Sequence, residues 1–262
     1  MSLDSLFEYL ENLRRSAYVK AVMRANIESG SDDVLGFIGS RLPVEIFHAM
    51  DLYAIPVYGV DGEILKFSRE KNLCPVIDAT VTYAKTDKCP LIHSSKLIVV
   101  ENSCPMMTHE IMKLDKNIYI YESESELVKK LFQVYNRELD SEKLRTAQES
   151  LRRIQELITR IKFHSDLTGL QVYILEFYLN FLELNERINI LQELSEHVNF
   201  SESEINYLPV RVQSGAGIYK QIDKLLAGRN YRILEDFCRV DSKNLDYVYE
   251  HCPYHKGERI NY

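Results

Sequence analysis

Proline, glycine and long apolar runs are scarce in this chain and its charge balance is acidic, and each of these removes a class of protein. Seven prolines and ten glycines in 262 residues leave no low-complexity tract. The rest is an ordinary globular composition, 45% hydrophobic and 27% charged. No apolar run approaches the ~20 residues that span a bilayer, so no membrane is expected as a partner. The first twenty residues interleave Asp4, Glu8 and Glu11 with their apolar positions and lack the uninterrupted core of a secretory signal. A net charge of −7 argues against nucleic acid, whose phosphates call for a basic face. Neither a hydrolase Ser/His/Asp signature nor a P-loop is present, and no internal repeat is evident. Five cysteines, an odd number, in a long chain without a secretory signal suggest a reducing cytoplasm. The expectation there is thiols or metal ligands, not disulfides.

What is present is a pairing of cysteine with proline. Four of the five cysteines are followed directly by proline: Cys74-Pro75, Cys89-Pro90, Cys104-Pro105 and Cys252-Pro253. The first three are spaced 15 residues apart. Proline fixes φ and removes an amide donor, so each pair marks a rigid turn or the first turn of a helix. A thiol at such a place, with neighbouring amides free to donate to sulfur, suits iron–sulfur ligation.

The texture of the chain is α/β. Residues 5–29 read as an amphipathic helix with Leu6, Leu10, Leu13, Val19 and Val22 on one face. Short β-branched or aromatic runs follow at Val34–Gly39, Ile55–Val60, Lys96–Glu101 and Asn117–Glu122, continuously apolar as in strands buried on both faces. Helix-compatible stretches lie between them at Pro43–Met50, Val76–Thr86 and Met106–Leu114. The alternation predicts βαβ units with right-handed crossovers and functional groups at the carboxyl ends of the strands. Residues 124–200 read as two or three long helices with Gly169 as a break, needed only as a packing layer. An α/β texture returns in 201–262, with strands at Pro209–Ser214 and Tyr231–Phe237 around a helix at Gly217–Leu226. The expected architecture is two Rossmann-like parallel-sheet units joined by a long helical segment, the second unit incomplete. Its parts are a cluster-binding domain at 1–123, the helical segment at 124–200 and a partial α/β domain at 201–262.

Cys104 follows the strand Leu97–Val100 and precedes a helix, where the dipole and free amides stabilise a thiolate. Cys74 likewise opens a helix, and Cys89 opens the segment before the Lys96 strand. One Cys-Pro pair alone is best read as a small core residue at a helix start. Three within 31 residues favour ligands, although the spacing is far from the compact C-x-x-C of local metal sites. His251-Cys252-x-x-His255 reads as an incidental tail group, since zinc needs four ligands. His93 and His109 flank Cys104 and read as ordinary core or surface groups. Ser214–Gly217 before a helix reads equally as a phosphate cradle or a tight turn.

Several segments resemble one family. Gly36 to Val57, with Pro43-Val44-Glu45 and Pro56-Val57, looks like a characteristic segment of the 2-hydroxyacyl-CoA dehydratases. That family includes benzoyl-CoA reductases and double-cubane cluster proteins. Leu73-Cys74-Pro75 is similar to the first cluster cysteine of the family. The run from Cys89 to Cys104 is similar to its second cysteine segment, in the form with an extra cysteine found in the double-cubane branch. Val212–Gly217 and Ile233–Cys238 look like strand–glycine–helix and cysteine segments of its second domain.

The resemblance implies a 4Fe-4S or double-cubane iron–sulfur cluster that takes one low-potential electron from an ATP-dependent activator. The electron would drive dehydration of a 2-hydroxyacyl-CoA thioester or reduction of a small substrate. It implies Cys74 and Cys104 as cluster ligands, Cys89 as a further ligand, and Glu45 as the acidic residue at the active site. The family's last cluster cysteine has no counterpart here, so Cys238, Cys252 or a partner chain would complete the set. A homodimer or a heterodimer with a related subunit is the expected assembly. Two other readings stand beside it: a non-catalytic relative acting as a partner subunit, and a structural zinc protein using the same thiols.

Overall fold

Three short runs of β-branched and aromatic residues make the centre of the molecule, because each has both faces to bury. The computed structural model describes residues 2–26, 33–57, 62–68, 73–102, 104–211, 223–226 and 229–235. A long helix α1 (Leu3–Asn26) leads into β1 (Val34–Ile38), α2 (Val44–Ala49) and β2 (Tyr53–Pro56). A 3-10 turn at Gly62–Phe67 precedes α3 (Pro75–Lys85), α4 (Pro90–Ser94) and β3 (Leu97–Glu101). Then come α5 (Pro105–Met112) and β4 (Ile118–Tyr121). The four strands form one parallel sheet in the order β2-β1-β3-β4. Every residue of β1, β2 and β3 is buried, while β4 at the edge is half-buried throughout. The α/β expectation with a parallel sheet therefore stands.

Alternate residues of each strand serve opposite layers, as a two-residue period requires. Val34, Ile38, Ile98 and Val100 face a layer built from α1, α3, α4 and α5. Leu35, Phe37, Leu97 and Val99 face α2 and α6, through Phe47, Leu127 and Leu131. The helical stretch comprises α6 (Glu124–Tyr135), α7 (Ser141–His164), α8 (Gly169–Tyr178), a 3-10 turn at Leu179–Phe181, and α9 (Leu184–His197). It packs back on the sheet unit: α7 lies against α2 and α9, and α8 against α1. Gly169 ends no helix; it opens α8 directly after the capping residue Thr168. The sequence breaks at the right place, but the turn belongs to a helix start. A two-stranded parallel pair, β5 (Leu208–Arg211) and β6 (Tyr231–Glu235), completes the described residues.

One face differs from expectation. In α1 the buried stripe runs through Leu6, Leu10, Leu13, Ala17 and Ala21, with Phe7 and Arg14 buried beside it, whereas Val19 is 61% exposed and Val22 39%. The true stripe keeps a helical period by passing through two alanines. Small residues are what close approach to the underlying layer permits.

Candidate functional site at the carboxyl edge of the sheet

All three described Cys-Pro pairs begin helices. Cys74, Cys89 and Cys104 are the N-cap residues of α3, α4 and α5, with proline next in each. Steric conflict with the proline ring drives the preceding residue to extended backbone, so the dipeptide writes cap and first turn together. In none does the cysteine side chain cap its own helix, and none of the three forms a disulfide.

The topology separates them. Cys104 lies just past the carboxyl end of β3, and Cys74 starts the crossover helix that leaves the carboxyl side after β2. Helices α3 and α5 pack on each other. Cys89 comes after the last turn of α3, at the start of the short α4 that runs into the amino end of β3. It is fully buried against α1, and burial pushes its thiol up in pKa. The amides of Leu91 and Ile92 and the Arg14 guanidinium pull the other way without prevailing. Among the described residues, no three His, Cys, Asp or Glu side chains are grouped to hold a metal ion. Cys238, Cys252, Ser214–Gly217, His251 and His255 lie outside the described residues. His93 belongs to the amino end of the sheet: its Nδ1 is 2.9 Å from Lys116 Nζ, just before β4. His109 sits in the last turn of α5, 3.9 Å from Glu110.

The strand order reverses between β1 and β3, and open α/β sheets place ligands outside the carboxyl ends of such a switch point. Here Glu101, the last residue of β3, fills that place. Its Oε2 accepts from the amides of Ser40 (2.7 Å) and Arg41 (3.0 Å), and Oε1 from Arg41 Nε (2.8 Å). Gly39 permits the approach: its φ is +139°, and a Cβ there would lie 2.3 Å from Glu101 Cβ. Those two amides are the donors that a dinucleotide phosphate would seek after β1, and the chain's own carboxylate holds them.

Beside this loop opens a cleft of about 560 Å³. Its floor is Phe37, Gly39, Ser40, Ala54 and Pro56 from the ends of β1 and β2, and α7 and α8 form its wall. Polar groups converge on it. Lys162 Nζ bonds both oxygens of Glu176, at 2.8 and 3.0 Å. Arg187, only 6% exposed, donates Nε to the Leu182 carbonyl at 2.8 Å. Its terminal nitrogens reach Asn180 Oδ1 at 3.4 Å and the Asn180 carbonyl at 3.3 Å. Burial brings Arg187 down to about 10, still charged at neutral pH. Burial and the Arg187 charge hold His48 at about 4, so its ring is neutral. Glu45 is in the first turn of α2, half-buried; burial first, then the charges of Glu124 and Glu45, raise the phenol pKa of Tyr121 at the end of β4. Its helix neighbours Val44 and His48, not Glu45 itself, line the cleft.

Sequence reasoning missed these cleft residues. The stretch 124–200 does more than pack, since it supplies Lys162, Glu176, Asn180 and Arg187. A usable signal was present in the otherwise apolar run of α8 and its following turn, which carries Glu176 and Asn180.

The fold and its carboxyl-edge cleft define a doubly wound parallel α/β protein. No protein-family profile matches the chain. Over 105 residues, 39% of its length, the chain is 24% identical to a protein of Escherichia coli (strain K12) named "Putative dehydratase subunit YjiM". The matched stretch spans 27% of that protein, about a quarter of its length. This partial likeness agrees with the dehydratase resemblance read from the sequence. No helix among the described residues is long and apolar enough to cross a membrane.

Proposed function

We propose that the chain is a subunit of the 2-hydroxyacyl-CoA dehydratase type, holding an iron–sulfur cluster through Cys74 and Cys104. The observation that carries this reading is the pairing of a dehydratase-subunit likeness with two Cys-Pro helix starts. Both helices leave the carboxyl side of the sheet and pack together. Helix N-termini stabilise thiolates, as cluster ligation requires. A full ligand set needs donors from beyond the described residues: Cys238, Cys252 or a partner chain. Cys89 fits this role least well, because burial favours its protonated form. The bound cluster would supply one-electron chemistry, with an ATP-dependent activator as reductant and a CoA thioester or small molecule as substrate. Glu45 would stand at that site as its acidic group.

A second reading, a partner subunit without its own reaction, draws on the word "subunit" in the relative's name. Anaerobic purification with iron, sulfide and zinc assays separates the possibilities. About four iron and four sulfide per chain, with brown colour, support the cluster. Cys104→Ala should then lose the iron, and Cys89→Ala should keep at least half of it. Protein free of iron after anaerobic reconstitution sinks the cluster reading and leaves the partner subunit. One zinc per chain points instead to a structural metal protein.

A further inference from the structure

Three arginines are buried among the described residues; Arg14 lies over the rings of Tyr18 and Tyr83, and the other two, Arg187 and Arg232, are satisfied very differently. Arg232, with no exposed surface, places its five N–H groups on five acceptors: the carbonyls of Lys162, Ser165, Leu167 and Tyr231, and Asn230 Oδ1. That is the full donor capacity of a guanidinium. Arg187 makes three contacts, and the two from its terminal nitrogens are long, at 3.3 and 3.4 Å. Each terminal nitrogen thus keeps one N–H without an acceptor among the described residues. Arg232 is a structural clamp; Arg187 is an incomplete one, and it opens on a cleft.

The charges around the cleft sharpen the contrast. Lys162 is neutralised by Glu176. Arg152 at the rim lies 3.9 Å from Glu156. Glu183, the carboxylate whose charge Arg187 feels, is engaged 3.4 Å away with Lys20. No described carboxylate lies within ion-pair distance of Arg187. Among the described residues around the cleft, one buried positive charge is therefore left over, next to a neutral imidazole that makes no side-chain hydrogen bond with them. A buried cation without a partner is costly unless something anionic completes it.

We propose that the cleft at the carboxyl ends of β1 and β2 binds a small organic acid. Its carboxylate would lie on Arg187 beside His48 and Asn180, with its apolar body against Phe37, Leu42 and Ile158. One uncompensated charge matches a monoanion, whereas a phosphate dianion would ask for a second free cation. The planar fork of arginine suits a carboxylate. The cleft volume falls within the ~300–1,000 Å³ of small-ligand pockets. None of Cys74, Cys89 or Cys104 lines it, so this site does not depend on the cluster reading.

Calorimetric titration of the full chain with isovalerate, isovaleramide and inorganic phosphate tests the assignment. Isovalerate should bind about tenfold or more tightly than its uncharged amide, the worth of a charge-assisted bond, and more tightly than phosphate. Arg187→Lys keeps the charge but not the fork and should weaken isovalerate binding about fivefold or more. Should that variant fail to fold, the wild-type chain decides. The His48 ring C–H resonances, assigned by their absence in His48→Gln, should move in step with isovalerate. Equal affinity for acid and amide, tighter binding of phosphate, an unmoved His48 signal, or no isovalerate binding at tens of millimolar would each overturn the proposal.

Discussion

His48 gives the residue scale its clearest consequence. Its folded-state value of about 4 lies below the ordinary 6.5, because burial and Arg187 disfavour the imidazolium. A depressed histidine contributes stability that is fully present above pH ~6.5, where the ring is neutral in both states. It is lost as pH falls through the window from 6.5 to about 4. The full effect is at most ~3 kcal/mol, reduced by whatever water still reaches the ring. Urea unfolding between pH 7 and pH 4 should therefore show a steeper acid loss in the wild type than in His48→Gln; parallel curves would refute the assignment. Glu101 belongs to the same scale. Its carboxylate is an anion built into the chain, seated on the Ser40 and Arg41 amides where other α/β proteins receive a phosphate. A resemblance of folds thus does not carry a nucleotide site with it.

Elements follow from caps more than from propensity. Thr168 accepts from the Gln171 amide at 3.2 Å while the Gln171 side chain accepts from the Thr168 amide at 2.9 Å, a reciprocal capping box. Thr168→Ala should cost ~1 kcal/mol, measured as a shift in urea midpoint with unchanged slope. The same logic explains what could be read in advance. Strands β1 and β3 are continuous apolar runs, and Cys74-Pro75 and Cys104-Pro105 state a cap and a first turn in two letters. The face of α1 is legible through Leu6, Leu10 and Leu13 and departs only at Val19 and Val22, because Ala17 and Ala21 carry little hydrophobic weight yet take the buried places. The cleft could not be read at all. Arg187 looks like one more charge on an amphipathic helix until α7, α8 and the ends of β1 and β2 meet around it. Such a site exists only in long-range packing, and spacing along one helix does not encode it.

At the scale of the whole molecule, the two-stranded sheet is the least self-sufficient part. Two strands seldom hold together alone in water, so β5 and β6 depend on what they rest against. They rest on the end of α7 through Arg232, and on α8, where Gly169 lets Tyr231 come close; a Cβ at Gly169 would lie 2.4 Å from the Tyr231 ring. Arg232→Met should leave several carbonyls without donors and cost on the order of 3 kcal/mol. Hydrogen exchange would then accelerate across 208–211 and 231–235 while Leu97–Glu101 keeps its protection. Uniform acceleration across both sheets would contradict a local clamp.

The clamp also orders events during synthesis. The carbonyls of Lys162, Ser165 and Leu167 leave the ribosome some 65 residues or more before the guanidinium that will satisfy them. Until then these three carbonyls are left to water, while the four-stranded sheet already has all its strands. The arrival of one side chain closes that seam, and a chain stalled short of it would present an unfinished edge to whatever inspects nascent proteins.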